Sequence, residues 1–306
     1  MEFQRVSKET VDADHDGMRL DNFLISLLKG VPRSKIYSII RRGEVRVNSL
    51  RYKPKQRISL GDIVRIPPII KKEDHQILPS ENLIELIKRQ VIYEDSNLLA
   101  VNKPIGIASH GGSGISLGLI EIVRQIKPAY KAIQLVHRLD KDTSGCILLA
   151  KKKSKLRELH LLLRQKKVSK DYVAITKAGW KKNVTEVTVD LDKVGSMSGE
   201  QKVKVVTEGK FSTSLFKILK QDNNLSLVNC SIKTGRTHQI RVHCDFLGHP
   251  IVGDRKYGNK IFNKEMAIQG HKRMMLHAKS ISFPSLDIGF QAEEPKEFIN
   301  LANKIK

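Results

Sequence analysis

Asp140 stands in the stretch HRLDKDTSGC, with Arg138 two residues before it and Lys141 directly after. An acid among bases is most often a surface pair, worth little to stability. Here apolar runs lie on both sides. Ile147, Leu148 and Leu149 predict a buried strand, so the turn is anchored between core elements. A carboxylate held there among cations suits nucleophilic or electrostatic work, not general-acid duty. Two other segments offer it partners. KVSKDYVAI predicts a strand carrying Lys170 and Tyr172, and the tyrosine is open to three readings: core residue, stacking surface or proton carrier. IKTGRTHQIRVHCDFLG predicts a tight turn at Thr234-Gly235 that enters a helix. Arg236 at that turn is a natural fork for a carboxylate or phosphate, and an Arg236–Asp140 ion pair is the expectation that follows.

Other motifs carry less. HGGSGISLG is rich in glycine but lacks the Gly-Lys-Ser/Thr ending of a phosphate loop and the spaced glycines of a dinucleotide fingerprint, so a turn near a cleft is expected. HRLDKD lacks the glycine-rich ATP loop and the metal-binding DFG that a kinase would need beside it. Cys230, His238, His243 and Cys244 match no common zinc spacing, and Cys230, in NCSI, is expected to be a small core residue. No metal and no small-molecule cofactor is expected.

The elements that position these residues sit in a strongly basic chain. Its 306 residues carry 55 Lys and Arg against 32 Asp and Glu, a net charge of +23 that favours a polyanionic partner. No apolar run approaches a spanning helix, the segment MEFQRVSKETVDAD has no signal-peptide core, and three scattered cysteines suggest reduced thiols; a cytoplasmic protein without a membrane is expected.

Near the N-terminus, Leu20, Phe23, Leu24, Leu27 and Leu28 recur at helical spacing before Gly30, and PRSKIYSIIRRG predicts a second helix with Ile36, Ile39 and Ile40 inside. EVRVN and RISLGDIVRIPP read as strands, the latter turning at Gly61-Asp62. Between Val31 and Lys72 stand 12 Lys and Arg but two acids, an excess that points to binding rather than to a merely solvated face. RLDNFL, PRSKIYSIIRRGEVRVN and LGDIVRI resemble the S4 RNA-binding module in pattern and order, over about residues 18–67. The resemblance implies RNA contacts from Arg33, Lys35, Arg41, Arg42 and Arg46. A module over 1–75, a flexible linker over 76–90 (Pro67, Pro68 and Pro79 lie in or near it) and a second domain over 91–306 are expected. In the second domain KKKSKLRELHLLLRQKKVSK has nine Lys and Arg against Glu158, on a predicted helix whose Leu156, Leu159 and Leu163 can pack one face while the other meets RNA or solvent.

Taken together, YEDSNLLAVNKPIGIASHGGSG, HRLDKDTSGCILLAKK, KVSKDYVAI, KTGRTHQIRVHCDFLGHPIVGDRKYG and MLHAKSISF resemble the RluA family of pseudouridine synthases. With the S4-like module and HGGSG, the likeness narrows toward its RluC type, which modifies uridines of bacterial large-subunit ribosomal RNA. It implies an α+β fold with a mixed, mostly antiparallel sheet and a central cleft, acting as a monomer. It implies that Asp140 is the catalytic carboxylate, attacking the anomeric carbon or C6 of uracil. Tyr172 would stack on the base and help remove the C5 proton, and Arg236 would hold Asp140. Arg138 would fill the gap left by the flipped nucleotide, and His137, Lys170, His238 and Arg241 would contact RNA. SFPSLDIGF departs from the family's usual His-Pro after the phenylalanine, a change expected to touch only a loop. A non-catalytic ribosome-assembly factor would share the charge and the module, but has no need for Asp140.

Overall fold

The computed structural model of the protein describes residues 6–28, 30–69, 78–111, 117–195 and 202–306. The chain divides into two compact units, Met1–Gln76 and Ile77–Lys306.

The N-terminal unit contains β1 (Ser7–Thr10), α1 (Leu20–Leu27), α2 (Arg33–Arg41), β2 (Arg46–Val47) and β3 (Ile63–Ile66), with the strands in the antiparallel order β1-β3-β2. Leu20, Phe23 and Leu24 of α1 and Ile36, Ile39 and Ile40 of α2 meet Val47, Val64 and Ile66 in one buried cluster. That cluster leaves the opposite face of α2 exposed. The strand expected over EVRVN is only two residues long. Asn48 and Ser49 take positive φ (48° and 71°), and the chain turns so that Val47 and Leu50 exchange hydrogen bonds.

The second unit contains α3 (Glu81–Arg89), β4 (Val91–Glu94), β5 (Leu98–Lys103), α4 (Leu119–Ile126), β6 (Gln134–Leu135), β7 (Ser144–Ala150) and α5 (Lys153–Arg164). β8 (Ser169–Lys177), β9 (Val184–Val194), β10 (Lys202–Val206), β11 (Lys210–Gln221), β12 (Leu225–Ile232) and α6 (Gln239–Phe246) follow. α7 (Lys260–Ile268), β13 (Leu276–Phe283), β14 (Ile288–Gln291) and α8 (Lys296–Ala302) complete it. One sheet runs β10-β9-β11-β12-β8-β13-β7-β5-β4, with β14 on β13 and β6 on β7. Among the described pairs only β7–β13 is parallel, so the sheet is mixed and mostly antiparallel as expected. No helix among the described residues is long and apolar enough to cross a membrane.

The expected linker over 76–90 is helical in its later part. Ser80 Oγ caps the Leu83 N–H at 3.3 Å, and α3 buries Ile87 and packs Leu83 and Ile84 against the same cluster as α4. Pro79 and the mixed charge favour a linker, whereas the apolar spacing of Leu83, Ile84 and Ile87 is the signal for a helix. SFPSLDIGF forms the turn between β13 and β14, with Asp287 in the left-handed region.

Every residue of β7 is buried, which makes this strand the anchor for the turn that precedes it. Where β7 meets β13, Gly145 has φ +116°, and a Cβ there would lie 2.2 Å from the Ala278 carbonyl oxygen. Gly145→Ala is therefore expected to cost more than about 3 kcal/mol, through backbone strain and separation of the two strands. Thermal melting will read this as a lowered Tm; a cost below about 1 kcal/mol would show that the strands can move apart easily.

Candidate active site

The HRLDKD turn is fastened by buried polar groups from the segment before it in the fold. Ser109 Oγ accepts the Leu139 N–H at 2.8 Å and donates to the Leu139 carbonyl at 2.7 Å. Lys103, fully buried at the end of β5, donates Nζ to the carbonyls of Ile107 (2.7 Å), Pro104 (3.0 Å) and Lys141 (3.3 Å). Burial pulls the Lys103 ammonium down to about 7, against the opposing fields of Asp140 and Asp142. The turn also closes on itself, since the Asp140 carbonyl accepts the Thr143 N–H at 3.2 Å. The Asp140 carboxylate thus projects from a backbone held on both sides.

Arg241, not Arg236, is the partner of that carboxylate. Arg241 Nη1 lies 3.1 Å from Asp140 Oδ2, while its Nε and Nη2 form a fork to Asp254 at 2.7 and 2.8 Å. Arg241 and Asp254 are buried, and Asp140 is 27% exposed. Burial alone would weaken the charges of this pair. The hydrogen bonds and fields of the two carboxylates push Arg241 above the ordinary guanidinium value, and Arg241 with two backbone N–H groups holds Asp254 below the usual carboxylate range. Arg236 sits in the turn before α6, exposed, and its Nε donates to the Phe211 carbonyl at 3.0 Å. The expected Arg236–Asp140 pair is therefore replaced by an Arg241–Asp140 pair, because the third residue of α6 points inward while the turn before it is drawn outward.

His238 takes the left-handed conformation at the start of α6 (φ 55°) and brings Nε2 to 3.8 Å from Asp140 Oδ2. Its Nδ1 is 2.7 Å from the Tyr257 hydroxyl, which accepts the Val203 N–H at 3.0 Å. Burial lowers the His238 pKa, with Asp140 opposing.

Around Asp140 opens a cleft of about 1330 Å³, bordered by Tyr172, His137, Arg138, Lys170, Arg236 and His238, among others. Tyr172 is 8% exposed on β8, and burial, reinforced by Asp140, pushes its phenol well above the usual tyrosine value. It enters the cleft as an uncharged aromatic face. His137 accepts the Leu148 N–H on Nε2 at 3.2 Å, and burial with the nearby Lys170 pulls it down to about 3. It borders the cleft as a neutral ring rather than as a cation. Lys170 is half-buried, and burial lowers its pKa. Arg138 is exposed at the mouth, where Nη1 meets His110 Nε2 at 2.8 Å.

The glycine-rich stretch is described at His110–Gly111 and from Leu117 on, and 112–116 lies outside the described residues. The Glu121 carboxylate accepts the N–H groups of both Gly111 and Gly118 at 2.9 Å, so these amides are engaged within the protein. A Cβ at Gly118 would lie 2.3 Å from the His110 backbone, which explains the glycine there. Cys230, His243 and Cys244 are buried, His243 Nε2 lies 2.9 Å from Ser212 Oγ, and no cluster suited to a metal occurs among the described residues.

In the N-terminal unit, Arg33, Lys35, Arg41 and Arg42 are exposed on or just after α2, and Arg46 is half-buried on β2. Arg41 and Arg42 border a hollow of about 490 Å³ with Ser34, Tyr37 and Ser38. Three residues of the larger site do not stand out in the sequence. Lys103 and Asp254 are charged residues beside apolar runs, in LLAVNKP and PIVGD, and Tyr257 follows Asp254 by three positions.

A clamped carboxylate and an aromatic face within a cation-lined cleft suit a polyanion that inserts one residue. Comparisons with known proteins agree. The family model described as RNA pseudouridylate synthase matches residues 97–246, and the S4 domain model matches 18–64. The chain is 48% identical over 276 residues to Ribosomal large subunit pseudouridine synthase C of Haemophilus influenzae, covering 90% of this chain and 86% of that protein. It is 46% identical over 277 residues to the protein of the same name from Escherichia coli K12, covering 89% and 87%. The solved structure of Human RNA Pseudouridylate Synthase Domain Containing 4 shares the fold at a TM-score of 0.61 and 24% identity, over 73% of this chain and 95% of that one. The chain belongs to the RNA pseudouridylate synthase family and is a pseudouridine synthase with an S4 domain at its N-terminus.

Proposed function

We propose that this enzyme converts uridines of bacterial large-subunit ribosomal RNA to pseudouridine, with Asp140 as the nucleophile. The observation that carries the reading is the Asp140 carboxylate, held by Arg241 beside Tyr172 in a cation-lined cleft. The substrate follows from relatives at 46–48% identity over most of their length that bear the large-subunit name. Attack at C1′ or at C6 leads to cleavage of the N1–C1′ bond. The uracil then turns, C5 bonds to C1′, the bond to Asp140 is released, the C5 hydrogen leaves as a proton and N1 takes one up. The product has the atoms of the substrate, so the balance calls for no oxidant, reductant or group donor. Tyr172 offers its face to the uracil, and its raised pKa suits a phenol that stacks rather than a standing base.

The reacting atoms are inaccessible in a stacked helix, so the uridine must flip out. Arg138, at the cleft mouth, takes its place in the stack, and Lys170 and Arg236 meet flanking phosphates. A ribosomal RNA substrate implies work in the cytoplasm, and the enzyme is expected to act as a monomer. The test exposes unmodified large-subunit RNA to the enzyme and maps pseudouridine by carbodiimide-dependent primer-extension stops. New stops at defined uridines are expected; stops only on transfer RNA would overturn the substrate.

On this reading the S4 domain supplies backbone affinity. Each phosphate that a cation neutralises contributes some 0.7–0.9 to the slope of log Kd against log salt. Replacing Arg41 and Arg42 together by alanine should therefore flatten that slope by about 1.5. An unchanged slope would remove these two arginines from the interface.

A further inference from the structure

Beyond the flipped uridine, next to the cleft residue Arg236, stands an aromatic ring that the fold does not use. Phe211 follows Lys210 at the start of β11 and is 49% exposed. Its carbonyl accepts the guanidinium of Arg236, a cleft residue, and Lys166 Nζ lies 5.7 Å from its ring centroid. Tyr130 and Tyr257 also lie under cations, but those rings are buried in the core, whereas the Phe211 ring is open to solvent.

Lys166 adds an independent observation. α5 ends with the Lys167 N–H bonded to the Leu162 carbonyl (3.0 Å) and the Lys166 N–H to the Leu163 carbonyl (3.2 Å). That paired closure puts Lys166 in the left-handed region, at φ 58°, where glycine is the ordinary residue. A lysine is strained there as glycine would not be. What the lysine adds is a cation, delivered to the face of Phe211. Leu163 and His160 of the same helix line the cleft, as does Arg236, which touches the Phe211 backbone, so ring and cation adjoin cleft-lining residues.

We propose that Phe211 is a stacking platform for an unpaired base of the RNA beside the flipped uridine, with Lys166 and Arg236 taking the phosphates of that nucleotide. The inference rests on the proposed RNA substrate and adds a second base site to it. Stacking on a phenyl ring is open to any base, because every base has a π face. The platform therefore supplies affinity and register, not sequence choice.

The test compares Phe211→Ala, Phe211→Leu and Phe211→Trp on a large-subunit RNA transcript. Alanine and leucine should both raise KM by about ten- to a hundredfold with kcat retained, since leucine restores apolar area but no ring. Tryptophan should restore KM, and its emission should be quenched when RNA is added; the chain's own Trp180 is buried and supplies a steady background. Leucine performing as well as phenylalanine, or tryptophan emission unmoved by saturating RNA, would overturn the platform. Failure of the parent reading looks different: the wild type would then form no pseudouridine on this RNA, while the quenching experiment would still report whether a base reaches position 211.

Discussion

Asp140→Asn is expected to reduce turnover at least about 10⁴-fold while RNA affinity changes less than about threefold, the pattern of a nucleophile removed from an otherwise intact site. The geometry makes this a clean substitution. Asparagine is isosteric, and its side-chain oxygen can still accept from Arg241. Arg241 keeps its two-bond fork to Asp254, so no buried charge is left without a counterion. The turn is held by Ser109 and Lys103 through backbone groups that the substitution does not touch. Measured Kd and Tm should therefore stay near the wild type. Parallel loss of binding and activity would make Asp140 a structural residue.

Arg241→Met should be damaging in two ways at once. It strands Asp254, a carboxylate 1% exposed, whose remaining partners among the described residues include the N–H groups of Lys256 and Tyr257, and should cost about 3–5 kcal/mol. It also frees the Asp140 carboxylate from its hold, at a cost of about 10²-fold or more in kcat. Arg241→Lys separates the two effects. It keeps a cation for Asp254 but loses the planar fork, so stability should largely return while kcat stays low. Arg236→Ala, by contrast, should raise KM and leave kcat within about tenfold, since Arg236 reaches the Phe211 carbonyl and not the carboxylate. Thermal melts and kcat for the three variants decide it. A larger kcat loss at Arg236 than at Arg241 would reverse the assignment.

The contrast between these arginines marks how far the chain can be read without its fold. Asp140, Tyr172 and α6 are legible because each lies next to an apolar run whose period names its element, and the turn before β7 can be placed from Ile147–Leu149 alone. Which arginine reaches Asp140 depends on how α6 is rotated and on where β11 passes the turn, and no local period encodes that. Arg241 does carry a faint signal, a guanidinium between Ile240 and Val242 on a short helix, with Asp254 following an apolar pair in PIVGD. Lys103 is hidden for another reason: its partners are backbone carbonyls, which have no sequence signature. The helix Glu81–Arg89 is obscured by neighbouring proline and charge, although its Ser80 cap and its leucine and isoleucine spacing are present. β1 pairs with β3 through a stretch with little apolar content, so only its tertiary partner reveals it.

The most direct measurement of the central claim uses large-subunit ribosomal RNA transcripts carrying tritium at C5 of uridine. Forming the C5–C1′ bond must expel that hydrogen, so tritium in water counts turnovers one for one. Stoichiometric release by the wild type, with none from Asp140→Asn under conditions where both bind the RNA, is the result predicted here. Equal release by the two proteins, or tight binding by the wild type with no release at all, would contradict it.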